Sequence, residues 1–125
     1  MIRVLCAVCA CAVVFCGDAD AYGEDIKGAW VRLRLLDKVA ARVHMFDLSM
    51  QEEASFGALR IRPRVCYKKP PEEVPDVGVW LEILDVKESP PLIFRGWMFA
   101  SSRSLSGIDH AVYDVWVVDC FEKKP

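Results

Sequence analysis

The segment from Ser101 to His110 (SSRSLSGIDH) brings hydroxyls, a carboxylate and an imidazole together within ten positions. A serine with Asp109 and His110 is the set used in acyl-transfer hydrolysis: the imidazole takes the hydroxyl proton and the carboxylate holds the ring. Such a nucleophile normally sits on a strained elbow, yet the chain contains no G-x-S-x-G. Closeness in sequence does not supply triad geometry either. The bland account carries more weight: Ser101 or Ser102 bonds turn backbone, and His110 satisfies polar groups where the loop enters a strand. An envelope hydrolase using His110, Asp109 and a nearby serine therefore stands as the alternative function, and no catalytic residue is assigned.

The six cysteines are the other reactive set. Four of them, Cys6, Cys9, Cys11 and Cys16, lie in a leader where Arg3 precedes an unbroken apolar run from Val4 to Phe15, followed by Gly17-Asp18-Ala19-Asp20-Ala21. A basic start, a short apolar segment and Ala19-x-Ala21 describe a signal peptide over 1–21, cleaved after Ala21. The apolar run covers roughly 20 Å as a helix against a hydrocarbon core of about 30 Å, which favours cleavage over spanning. An uncleaved membrane anchor is the alternative, and lipidation at Cys11 or Cys16 a third, weakened by the bulk of Phe15 beside Cys16.

Cleavage leaves Cys66 and Cys120, which are expected to pair in an oxidising compartment. Closing that loop restrains the unfolded chain by about 4 kcal/mol on the entropy model, an upper figure. The same two residues with His44 and His110 lack the spacing of a zinc site, so no metal and no cofactor is expected. Redox catalysis is disfavoured as well, because the two cysteines are distant in sequence and not in C-x-x-C.

For binding, Trp80, Trp97 and Trp116 are candidate aromatic platforms for a glycan, and the row Arg60, Arg62, Arg64 a candidate grip for carboxylates of peptidoglycan or a partner protein. Large aromatics in small β domains are more often core, and a charged row is more often a solvated strand face. The net charge is −2 for the whole chain and becomes −1 without Arg3, Asp18 and Asp20, so no basic field for nucleic acid exists.

These side chains must be positioned by a single domain, since 125 residues leave no room for two, and 54% hydrophobic content suffices for one core. Residues 22–29 read as a loose N-terminus and 30–125 as one β domain. Between Trp30 and Leu48 a helical stripe competes with period-2 alternation, and β-branched content favours two strands around Asp37-Lys38. From Ala58 to Lys69 the alternation puts Leu59, Ile61, Val65 and Tyr67 on one face and Arg60, Arg62, Arg64, Cys66 and Lys68 on the other. Pro63 marks an edge or a bulge in that strand. Pro70-Pro71-Glu72-Glu73-Val74-Pro75 is a stiff solvated excursion. Strands follow over 77–86 and 92–100, with Gly96 suggesting a bend or close approach, and 112–120 reads as a central strand apolar on both faces. The fold class is all-β: a small β-sandwich or partly open barrel of about five to seven strands with one disulfide.

Leu36-Asp37-Lys38-Val39, Phe56-Gly57-Ala58-Leu59, Cys66-Tyr67-Lys68-Lys69-Pro70-Pro71, Gly96-Trp97-Met98-Phe99-Ala100-Ser101-Ser102 and His110-Ala111-Val112-Tyr113-Asp114-Val115-Trp116, in that order, resemble a family of small exported alphaproteobacterial proteins known as domain of unknown function 2155. The resemblance covers nearly all of the chain after the leader, and it carries no established activity. Ala111 departs from the family's preference for Pro after the histidine, which alters stiffness and not chemistry.

Together these readings predict an exported, periplasmic cell-envelope protein, non-enzymatic, serving as an adaptor or ligand-binding β module. Its partner is expected to be an envelope protein or a glycan, with the membrane involved only through the export signal.

Overall fold

The computed structural model describes residues 24–102, 108 and 110–125. The leader 1–21, Asp109 and the serines at 104 and 106 lie outside the described residues. Among the described residues there are eight strands: β1 (Ile26–Gly28), β2 (Trp30–Asp37), β3 (Arg42–Ser49), β4 (Ala54–Phe56), β5 (Leu59–Lys68), β6 (Val77–Asp85), β7 (Leu92–Phe99) and β8 (Tyr113–Phe121). They form two antiparallel sheets, one of five strands in the order β1-β5-β6-β7 with β4 also on β5, the other in the order β3-β2-β8. The all-β expectation holds in its sandwich form, since the sheets remain separate and no barrel closes.

Period-2 patterning explains the core. Val31, Leu33 and Leu35 of β2 are buried together with Leu59 and Ile61 of β5, Leu81 and Ile83 of β6, and Val115 and Val117 of β8. Burying a side chain of this kind contributes about 1.5–3 kcal/mol. The helical alternative for 30–48 fails because only a strand sends Val31, Leu33 and Leu35 inward while Arg32 and Arg34 stay at the surface. Asp37 makes the hairpin: its Oδ1 accepts the N–H groups of Val39 and Ala40, both at 3.0 Å. Ala41, at φ 53°, completes the turn.

Pro63 satisfies both expectations for it. β4 covers β5 at Leu59–Ile61 and β1 covers it at Cys66–Lys68, so the proline lies in the gap between them. The register with β6 also slips there, Pro63 facing Leu81 and Val65 facing Trp80, which makes Arg64 the extra residue of a β-bulge.

Four expectations are corrected. The bulge reverses the alternation, so Cys66 turns to the core while Val65 and Tyr67 join the arginines outside, because one inserted residue exchanges the two faces of a strand. β8 is not central; it is an edge of the three-stranded sheet, and among the described strands it pairs with β2 alone. Its outer apolar face is sheltered instead by a side chain, the Arg34 guanidinium 5.1 Å above the Trp116 ring. Within 22–29, Ile26–Gly28 is a strand paired with β5. Gly96 has φ +156° yet stays in register with Leu81 inside β7, and no neighbour crowds it, since a Cβ there would meet nothing nearer than Phe94 Cζ at 4.0 Å.

Candidate functional site

The bulge at Arg64 assembles the outer face of the five-stranded sheet. Across β5, β6 and β7 run three rows: Arg62, Glu82 and Arg95; Val65, Trp80 and Trp97; Tyr67, Gly78 and Phe99. Charge thus adjoins aromatic surface. Trp97 sits at the hub, edge-on to Trp80 at 5.9 Å, 6.2 Å from Tyr67 and 6.0 Å from Phe99, whose plane is within 16° of its own. Gly78 permits this arrangement, because a Cβ at that position would lie 2.8 Å from Phe99 Cε1. Trp97 and Phe99 remain 39% and 40% exposed and, with their rings adjacent, form one aromatic patch.

A groove of about 330 Å³ runs along this strip, lined by Tyr67, Gly78, Trp97 and Phe99 and bounded by Asp25, Lys69 and Asp76. Its ionic rim is already paired. Lys69 Nζ lies 3.1 Å from Asp25 and 3.8 Å from Glu73. The hydrogen bond to Asp25, reinforced by its charge, holds the Lys69 ammonium above its ordinary pKa. Asp76 Oδ1 accepts the N–H groups of Val77 and Ser101, and its Oδ2 accepts the Ser101 hydroxyl at 2.8 Å.

The arginine row is likewise engaged. Arg62 Nε donates to Glu53 at 2.8 Å, Arg64 donates to Glu82 at 3.3 Å and to Gln51 at 2.9 Å, and Arg95 reaches Glu82 at 3.4 Å. Arg60 bonds the carbonyls of Gly57 and Leu59. Partial burial pushes the Glu82 carboxyl up, and the hydrogen bonds and charges of Arg64 and Arg95 more than reverse it, leaving it below the usual carboxylate range.

His110 lies elsewhere, largely buried, with Nε2 2.8 Å from Asp85 Oδ2 and Nδ1 accepting the N–H groups of Val112 and Tyr113 at 3.0 and 3.1 Å. Two donors on Nδ1 place the ring proton on Nε2, facing the Asp85 carboxylate. The His110 hydrogen bond, followed by the Lys87 N–H on Oδ1, keeps the Asp85 carboxyl below its ordinary value. Asp109, the acid of the hydrolase alternative, lies outside the described residues.

The chain matches the model of the family described as "Uncharacterized protein conserved in bacteria (DUF2155)" over residues 31–120. The chain belongs to this family. It is also similar to an uncharacterized protein of Rickettsia prowazekii (strain Madrid E), with 35% identity over 88 residues, 69% of this chain and 57% of the relative. The chain thus spans little more than half of that relative's length. No solved structure matches.

Two segments carrying the DUF2155 resemblance build the aromatic face: Cys66 to Pro71 supplies Tyr67 and Lys69, and Gly96 to Ser102 supplies Trp97, Phe99 and Ser101. Of the sequence candidates, Arg62, Arg64, Trp80 and Trp97 come together in this DUF2155 chain, whereas Trp116 belongs to the opposite sheet and His110 to the segment just before β8. Sequence reasoning missed Tyr67, Phe99 and Asp85. Strict alternation puts the first on the wrong face of its strand, the second lies in a run whose only signal is apolar, and the third is marked by nothing except its buried contact with His110.

Proposed function

We propose that the chain is an exported cell-envelope protein of the periplasm, and that its sandwich is a non-enzymatic ligand-binding or adaptor module working through the outer face of the five-stranded sheet. The carrying observation is the pair Trp97 and Phe99, side by side over Gly78 and exposed beside a groove of about 330 Å³. Aromatic rings of this kind bring large contact area with little side-chain entropy to lose, which is why they dominate binding surfaces. Export is supported by the apolar leader and by the Cys66–Cys120 bond, since such bonds persist where the compartment is oxidising.

His110 weighs against the hydrolase alternative. Its Nδ1 lone pair accepts two backbone N–H groups and its Nε2 faces Asp85, so the ring has no free lone pair for a serine proton.

The reading is tested by placing a photocrosslinking residue at position 97, and at position 45 on the other sheet as a control, and irradiating intact cells. Adducts in the envelope fraction from position 97 alone are expected. Adducts from position 45 alone would move function to the other sheet, and intact chain in the cytosol with its leader attached would overturn export.

A further inference from the structure

We infer that the strip over Gly78 is a subsite for a neutral glycan, whose sugar rings stack on Trp97 and Phe99. This rests on the binding reading above and names the ligand class of the same face. Two exposed rings with planes within 16° and centroids 6.0 Å apart present contiguous aromatic surface on the scale of a pyranose unit. The C–H faces of a sugar are polarised by its oxygens and settle on the negative faces of such rings. Gly78 lets Phe99 lean across β6, and any side chain at position 78 would displace that ring.

The rim decides the charge of the occupant. At the groove Asp25, Glu73 and Asp76 outnumber Lys69, and beside Trp80 the guanidinium groups of Arg64 and Arg95 outnumber Glu82, so the strip has ends of opposite sign and no single-signed field to draw in a polyanion or a polycation. What the rim does offer is unused hydrogen-bonding capacity of both kinds, on carboxylate oxygens and on the Lys69 ammonium. Hydroxyl groups, which donate and accept, match it. A peptide added as a further strand fits less well, although β7 is the last strand of its sheet. Ile93 is a bulge residue, so the regular array of N–H and C=O groups that strand addition requires is interrupted along β7.

The test is titration of the full chain with tetramers of N-acetylglucosamine, glucose in α- and β-linkage, and mannose, followed by tryptophan emission and amide resonances. At least one sugar is expected to give a saturable change centred on Gly78, Trp97 and Phe99. Trp97→Ala should weaken that binding about tenfold, Trp97→Phe should recover part of it, and Met45→Ala on the other sheet should leave it unchanged. Each variant is first checked for an unaltered urea transition. Absence of a saturable change with all four sugars overturns the glycan assignment. If the crosslinker at position 97 then still captures a protein, the binding face stands and its ligand is a peptide; if it captures nothing, both readings fall.

Discussion

Cys66 and Cys120, 54 positions apart, meet between the sheets with their Cα atoms 6.1 Å apart because each follows one extra residue in its strand. On β5 the extra residue is Arg64, and on β8 it is Val118, which stands outside the pairing of Arg32 with Asp119 and Leu33 with Val117. Uninterrupted alternation would send both sulfurs to opposite outer surfaces, since Leu59 and Ile61 of β5 and Val115 and Val117 of β8 already claim the inner parity. The bond therefore ties the two sheets across the core. Replacing both cysteines with Ala should lower the unfolding free energy by about 2–4 kcal/mol, read as a fall in urea midpoint against the wild type without reductant. Free thiols at both positions in exported protein would overturn the pairing.

Gly28 answers to the same bond. A Cβ there would clash with Cys120 Sγ and lie 2.7 Å from Cys66 Sγ, so Gly28→Ala should cost about 1–3 kcal/mol by overpacking. The origin of the cost is checked by a double-mutant cycle: in a chain with both cysteines changed to Ala the penalty should largely vanish. An undiminished penalty would place the strain elsewhere in β1.

Much of this architecture is legible in the residues. Alternation in Val31-Leu33-Leu35 and Val79-Leu81-Ile83 finds strands and their inner faces, and Pro63 announces the interruption of β5. What it leaves open is how many residues the interruption inserts, because a bulge is defined by the partner strand's register and Arg64 has no side-chain signature of it. Sheet order is hidden for a related reason. β8 reads as central because both of its faces are apolar, and only the approach of Arg34 to Trp116 shows how an edge strand shelters its outer ring. β1 and β4, three residues each, are too short for period-2 alternation to register.

His110 and Asp85 give the fold an acid-sensitive contact. The folded Asp85 carboxyl lies below its unfolded value near pH 4, so its stabilisation is fully present above that pH and is lost as pH falls through the lower folded value. Glu82, also held below the usual range, acts in the same direction. The double variant Asp85→Asn with Glu82→Gln should therefore flatten the acid limb of a stability-against-pH profile measured by urea unfolding. His110→Ala should cost about 1–3 kcal/mol at neutral pH by leaving the Val112 and Tyr113 N–H groups without their acceptor. A profile unchanged in the double variant would show that these carboxyls do not set the acid limb.

Inserting one alanine after Arg64 tests whether the residue count of the bulge, and not merely the cysteine, positions the sulfur. With one residue added, any register that keeps Leu59 and Ile61 in the core changes the parity of everything after the bulge and turns Cys66 outward and Tyr67 inward. Both thiols should then be alkylated in exported protein without reductant, and the stabilisation of about 2–4 kcal/mol from the bond should disappear. Arg64→Ala is the control. It removes the guanidinium but leaves the residue count unchanged, so the disulfide should persist and stability should fall by no more than about 1 kcal/mol, the scale of an exposed ion pair. An insertion variant that still forms the bond would mean that β5 absorbs the added residue elsewhere along its length.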